Sequence, residues 1–305
     1  MTSDFNRRDF LQMMGIGGVV FASGAVGCAG AAGAAPTTAG PTTVRPKVGE
    51  DFFFLQLSDT HWGFQGPPNP HADVTLEQAI ATINAVDVRP DFVVFTGDLT
   101  HQTDDPGQRR DRMARFSDIV SALKVKDVRF LPGEHDAALD QGDAFRRAFG
   151  ETHYTFDHKG VHFVALDNVS LGGAGLGGEQ LRWLASDLER LPPEVPVIVL
   201  AHRPLFDLYP EWDWATKDGA QAIEMLDRRE NVTVFYGHIH QELHRTIGKA
   251  AHHSARSLVF PLPAPGSVAK KAPLVWDPNS PDHGLGWRKI AMEAAAARVT
   301  EVAFR

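Results

Sequence analysis

Short apolar runs rich in β-branched and aromatic residues recur along the chain and alternate with stretches of helical spacing. The runs Asp51–Leu57, Phe92–Phe95, Val128–Leu131, Val195–Leu200 and Val232–Tyr236 read as buried strands. Between the first two, Asp73–Val86 sets Val74, Leu76, Ala79, Ile80, Ile83 and Val86 at helical spacing, with Asp73 or Thr75 as N-cap. Arg109–Leu123, Gly142–Phe149, Glu179–Leu191 and Ala220–Arg228 read as further helices. Tyr154–Phe156 and Val161–Leu166 bracket Lys159-Gly160 as a hairpin. After Gln241 the pattern changes. Proline and glycine are dense from Phe260 to Gly286, and Gly286–Met292 and Arg298–Phe304 read as closing strands. These elements predict an α/β domain: a β-sandwich flanked by helices, its C-terminal part completing the second sheet.

At 305 residues and 43% hydrophobic, the chain can bury a full core. Its net charge is −8 with histidines neutral, and both signs are interspersed. No basic stripe follows a phosphate backbone, so a nucleic-acid polymer is not expected as partner. The first 35 residues stand apart. Arg7-Arg8 precede Phe10-Leu11, and a weakly apolar, Gly/Ala-heavy stretch runs from Met13 to Ala35. This resembles a twin-arginine export signal. Residues 1–35 are therefore expected to be signal, 36–50 a flexible linker and 51–305 the folded domain. The export machinery is then a partner, and the periplasm or cell envelope the destination. An uncleaved membrane anchor fits less well, because the run is poor in Leu, Ile and Phe. Cys28 is the only cysteine, which excludes an intrachain disulfide and a multi-thiolate metal site. It follows Ala25-Val26-Gly27, where a lipoprotein signal carries its acylated cysteine. It also fits a chance small residue ahead of cleavage within Ala31–Ala35, so a lipid anchor at Cys28 and a free exported protein both stand.

The chemistry lies at strand ends. Asp59 and His61, Asp98, Glu134 with His135, His202, and His238 with His240 each follow one of the five strand-like runs. Loops leaving the carboxyl ends of strands in an open α/β sheet share one rim, so these residues converge. Carboxylates and imidazoles gathered there are what a two-cation hydrolytic centre requires. Asp98 follows Gly97, which permits a sharp turn, and a carboxylate has lone pairs enough to bridge two metals. Mixed N/O ligation suits Zn, Mn or Fe rather than Ca or Mg. Of the other histidines, His101 is placed to line the pocket, and His153, His158 and His162 flank the hairpin as ordinary surface or half-buried residues. His252 and His253 fall in a polar loop. Arg203, beside His202, either holds a phosphate oxygen or serves a structural ion pair. Phe206, Tyr209, Trp212 and Trp214 form an apolar rim or cover a sheet edge. The glycine-rich stretch Asn168–Gly178 reads as a flexible loop near the site, with no helix-opening phosphate fingerprint.

Asp59-Thr60-His61, Gly97-Asp98, Gly133-Glu134-His135-Asp136, His202 and Gly237-His238-Ile239-His240 resemble the five ordered motifs of the calcineurin-like metallophosphoesterases. Any one arises by chance; all five in order, each after a strand and spanning Phe52 to Gln241, are specific. Leu57–His61 and Gly237–Gln241 are most similar to the bacterial branch of cyclic-nucleotide and glycerophosphodiester phosphodiesterases. The resemblance implies a four-layer α/β/β/α sandwich of two mixed sheets flanked by helices. It implies two divalent or mixed-valence ions of Mn, Fe or Zn. Asp59, His61, Asp98 and His240 would hold the first, and Asp98, Glu134, His202 and His238 the second. A hydroxide bridging them would attack a small phosphoester in line, most readily a diester. His135 would stabilise the transition state or protonate the leaving oxygen, with Asp136 as its orienting partner. One position departs: the family usually carries Asn where this chain has Glu134. The added charge weakens the Lewis acid and repels phosphate, so the alternative is a membrane-tethered, catalytically impaired metal- or phosphate-binding module.

Overall fold

The computed structural model describes residues 21–22, 50–293 and 296–304. The expected signal and linker lie outside the described residues, apart from Phe21–Ala22, a two-residue strand β1, and Glu50. Strand β2 (Phe52–Leu57) is buried on both faces. Successive side chains leave opposite faces of a strand. Phe53, Leu55 and Leu57 accordingly join one apolar cluster, while Phe52 and Phe54 join another.

Helix α1 (Ala72–Ala85) carries the chain over to β3 (Val93–Thr96), and α2 (Pro106–Val120) carries it to β4 (Val128–Leu131). Strands β2, β3 and β4 are parallel, as such crossovers require. Helix α2 begins three residues earlier than its periodicity predicts. Asp105 accepts from the Gly107 and Gln108 N–H groups, and Pro106 occupies the first turn, where no hydrogen bond is lost. Two short helices follow, α3 (Glu134–Ala137) and α4 (Asp143–Phe149), then the hairpin β5 (Tyr154–His158) and β6 (Val161–Ala165). Helix α5 (Gly177–Arg190) leads to β7 (Val197–Leu200), and α6 (Gly219–Leu226) to β8 (Val232–Tyr236). The remaining strands are β9 (Leu243–Ile247), β10 (Ala250–Ser254), β11 (Gly286–Glu293) and β12 (Ala296–Ala303).

Two mixed six-stranded sheets result, in the orders β1-β12-β11-β2-β3-β4 and β5-β6-β7-β8-β10-β9. Phe54, Phe92 and Phe163 meet between them; Phe54 and Phe92 stack at 4.7 Å, with Phe163 edge-on to both. Helices α1 and α2 cover the outer face of the first sheet through Leu76, Ile80, Met113 and Phe116, and α5 and α6 cover the second through Leu181, Leu184, Ala222 and Leu226. The fold is thus the expected α/β sandwich, with two corrections. The terminal hairpin β11–β12 joins the first sheet, antiparallel to β2, because β2 has an open edge whose residues are buried on both faces. The second sheet is completed by the hairpin β9–β10 instead, with β10 parallel to β8. His252 and His253 are therefore buried strand residues, not members of a polar loop.

Candidate metal centre

The carboxyl ends of β2, β3, β4, β7 and β8 bring their following residues to one rim. Asp59, His61, Asp98, His238 and His240 all have positive φ, between 41° and 67°. A non-glycine residue in this region costs roughly 1–3 kcal/mol and persists only where its surroundings over-determine it. Hydrogen bonds continue past the paired strands here. Asp59 N–H donates to Gly97 O at 3.0 Å, and His61 N–H to Asp98 O at 2.9 Å. His238 N–H donates to the Asp59 carboxylate at 3.0 and 3.1 Å. Close approach also fixes two glycines. A Cβ on Gly97 would lie 2.3 Å from His202 Nδ1, and one on Gly133 would lie 2.1 Å from Asp98 Oδ1.

Among the described residues, two of the groups able to hold a cation are built wholly from the expected ligands. Asp59, His61 and His240 present one ligand atom each within 4.8 Å of one another, and so do Asp98, Glu134, His202 and His238. Asp98 Oδ2 faces both groups, 3.3 Å from His61 Nε2 and 3.4 Å from His202 Nε2. Its other oxygen accepts the His135 N–H at 2.9 Å. The ring protons are placed by neighbours. His202 Nδ1–H donates to Thr96 O at 2.7 Å, and His240 Nδ1–H to Phe260 O at 2.8 Å. Each ring therefore turns an Nε2 lone pair toward the centre when neutral. His240 Nε2 sits 3.3 Å from both His61 Nε2 and Asp59 Oδ1. His202 Nε2 and Glu134 Oε2 are 3.0 Å apart, yet neither finds an aligned hydrogen bond. Acceptors that converge without donors between them suit cations. The donor set, three carboxylates and four imidazoles, fits divalent metal ions.

The electrostatics agree. Burial raises the pKa of Asp59, but the charge and hydrogen bond of His240 outweigh it and hold the carboxylate below its ordinary value. Glu134 is likewise held well below, with His238 and His202 overcoming burial. His202 moves well above its ordinary value, since Asp98 and Glu134 outweigh burial. His61 falls well below, through burial and then the neighbouring His135 and His240. Burying this many ionisable groups without partners would be very costly, and each cation removes carboxylate repulsion while replacing imidazolium protons.

All seven expected ligands meet at the rim. His135 joins them, its ring 4.5 Å from that of His61. His101 joins too, with Nδ1 3.4 Å from His61 Nδ1. Asp136 departs from expectation: its carboxylate is taken by the N–H groups of Leu99, Thr100 and Gly133 and by the Thr100 hydroxyl. It ties the β3 and β4 turns together, and burial followed by the nearby Asp98 raises its pKa to about 6. Gln102 N–H instead donates to His135 Nδ1 at 3.1 Å. Arg203 serves the structural role, its guanidinium bound to the Asp213 carboxylate at 2.8 Å, to the Asp213 carbonyl and to Ala215 O. Trp212 and Trp214 pack with Tyr236 and Ile239 as cover. His162 is buried between Asp157 and Asp187, so it is neither surface nor half-buried. Sequence reasoning missed the carbonyls of Thr96 and Phe260, which carry no side-chain signal, and Lys217, which lines a cavity with Glu134.

A model of the calcineurin-like phosphoesterase family matches residues 54–242. A probable cyclic nucleotide phosphodiesterase from Rhodococcus erythropolis is 28% identical over 213 residues, 64% of this chain and 66% of that protein. A probable glycerophosphodiester phosphodiesterase from Arcobacter nitrofigilis is 29% identical over 163 residues, covering 50% and 57% respectively. The matches thus span somewhat less than two thirds of these relatives' own lengths. Among solved structures, a dimetal phosphatase from Danio rerio superposes with a TM-score of 0.57 at 16% identity, covering 83% of this chain and 99% of that one. That likeness concerns the fold alone.

Proposed function

The chain belongs to the calcineurin-like phosphoesterase family, and on that premise we propose that it is an exported phosphohydrolase that uses two metal ions to cleave phosphate diesters. The observation that carries this reading is Asp98 Oδ2, which faces both ligand groups at once. Asp59, His61, Asp98 and His240 would hold one ion, and Asp98, Glu134, His202 and His238 the other. A metal pair supplies a water of lowered pKa and charge neutralisation at the phosphoryl oxygens. The protein's own groups do the rest. Thr96 O and Phe260 O hold two imidazoles in the tautomer that offers Nε2. His135, whose Nδ1 accepts from Gln102, carries its proton on Nε2 when neutral and can donate a hydrogen bond that stabilises charge on a leaving oxygen. The names of the two relatives support diesters as the substrate class. The Arg7-Arg8 segment supports export, and Cys28 offers a site for a lipid anchor.

The test is hydrolysis of a chromogenic phosphodiester by protein loaded with Mn, Zn or Fe. Asp98→Ala should lower kcat/KM on the order of a thousandfold, and His135→Ala by about a hundredfold or more. A second reading rests on Glu134, whose oxygens lie 2.8 Å from His238 Nδ1 and 3.0 Å from His202 Nε2, adding a charge beside the phosphate position. Bound metal without turnover, and turnover that appears in Glu134→Asn, would establish an impaired binding module instead.

A further inference from the structure

A cavity of about 230 Å³ opens beside the second ligand group, reaching from Glu134 past Val169, Gly173 and Ala174 to Arg203 and Lys217. We propose that this cavity receives an anionic substituent of the substrate, a carboxylate or phosphate that is not itself cleaved. The inference rests on the phosphohydrolase reading and narrows its substrate class.

The walls are built rather than incidental. Lys217 N–H donates to Ala174 O at 2.9 Å, and the Asp218 carboxylate takes the Leu176 and Gly177 N–H groups at 2.8 and 2.7 Å. The glycine-rich loop is thereby pinned against the segment after His202. Gly173 has φ of +99°, and a Cβ there would lie 2.3 Å from Lys217 Nζ. The left-handed backbone there favours glycine, and the absence of a side chain leaves the Lys217 ammonium lying against the loop. Arg203 and Asp213 neutralise each other at 2.8 Å, and Asp213 also lines the cavity. Lys217, by contrast, forms no ion pair among the described residues. Lys271 does not line the cavity but adds a second ammonium within electrostatic reach of Glu134, Arg203 and Asp213, 5.9 Å from the centre of the Trp214 ring.

Charge decides what such a cavity takes. The chain is acidic overall, at −8, and Glu134 adds a carboxylate where the family usually has a neutral amide. An anion approaching from this side meets repulsion unless cations reverse the local field. With Glu134 engaged at the metal centre and Asp213 engaged by Arg203, the two lysines set the sign of the remaining potential. A neutral substituent gains nothing from them, whereas an anionic one gains a charge-assisted contact.

Calorimetric binding to the Mn-loaded protein tests this without requiring turnover. The probes are methyl phosphate, phosphoglycolate and propane-1,3-diol bisphosphate. The two probes that carry a second anionic group should bind about 5- to 10-fold more tightly than methyl phosphate. That preference should vanish in Lys217→Gln, survive in Lys217→Arg, and shrink in Lys271→Gln. Whether phosphoglycolate or the bisphosphate gains more distinguishes carboxylate from phosphate as the group received. Equal binding of all three probes, or a preference that persists in the Lys217→Gln, Lys271→Gln double variant, overturns the proposal. The chromogenic diester assay separates the two readings. Cleavage without a binding preference removes the anionic subsite alone; a preference without cleavage by any metal form removes the phosphohydrolase reading and leaves the subsite standing.

Discussion

His202 and His240 each spend one ring proton on a backbone carbonyl, and this is what commits their other nitrogen to the centre. His61 has a different partner. Its Nε2 faces Asp98 and His240, while its Nδ1 lies 3.4 Å from Nδ1 of His101. If His61 offers Nε2 as a lone pair, its proton sits on Nδ1, and His101 must accept it. An imidazole accepts only when neutral. Burial, His135 and Arg112 together push the His101 pKa down to about 4, so it is neutral at pH 7. Groups that orient a metal-ligating histidine typically contribute 10- to 100-fold to metal affinity. His101→Ala should therefore weaken metal retention by about 10- to 100-fold in competition with a chelator. Unchanged retention would mean that His61 is held by packing alone. The meeting of the seven proposed ligands at one rim was legible in the sequence because each follows an apolar strand run, a signal that survives without coordinates. The role of His101 was legible only as proximity, since its partner depends on how two turns cross. Lys217 was not legible at all: its place is set by Gly173 and Asp218, far from it or silent in pattern.

At the level of elements, the strand ends carry the design. Helix α3 is one turn long, too short for any periodicity, and sequence reading passes over it as loop. Yet its start places Glu134 at the rim, and Asp136 in the same turn binds back to Gly133, Leu99 and Thr100. This explains why Asp136 stands beside His135 in sequence but not in function. A helix turn sends neighbouring side chains in different directions, so adjacency in a motif does not imply a shared task. The hairpin β9–β10 was hidden for another reason. Leu243–Ile247 includes His244, Arg245 and Thr246 and forms a sheet edge, where polar residues are tolerated. The central strands were read to within a residue or two because burial on both faces demands continuous apolar runs. The junction of β4 and α3 gives a sharp test. In Gly133→Ala a Cβ would fall 2.1 Å from Asp98 Oδ1 and 2.2 Å from Asp98 N, so the shared carboxylate must move. That variant should lose metal stoichiometry, measured by elemental analysis, and activity by at least about a hundredfold. Its far-ultraviolet circular dichroism should stay near that of the parent, because Gly133 belongs to none of the apolar clusters. Full metal occupancy in Gly133→Ala would show that Asp98 can retreat without loss.

For the whole molecule, the decisive feature is where the ligands come from. Asp59, His61, Asp98 and Glu134 follow strands of the first sheet, whereas His202, His238 and His240 follow strands of the second. Each of the two ligand groups draws from both sheets. The sandwich is closed in its middle by Phe54, Phe92, Phe163 and Phe235, which attract one another without any ion. At the rim the same closure brings three carboxylates and four imidazoles together, which repel or must protonate unless cations lie among them. Metal binding is thus coupled to the joining of the two sheets, and a ligand that binds only the folded state stabilises it by mass action. At 100 to 1,000 times its dissociation constant, one ion contributes about 2.7–4.1 kcal/mol. For a domain of this size each kcal/mol moves the melting temperature by about 2–4 °C. Stripping the protein with a chelator should lower Tm by about 5–15 °C, and adding Mn or Zn should restore it. The sign with pH follows from the ligands. A proton on His202, whose pKa lies well above the ordinary imidazole value, must leave for a cation to bind there, so the metal-dependent part of the Tm shift should shrink as pH falls from 7 toward 5. A Tm unmoved by chelation would mean that the aromatic core alone sets the sandwich, and that the rim tolerates its own charges without ions between the sheets.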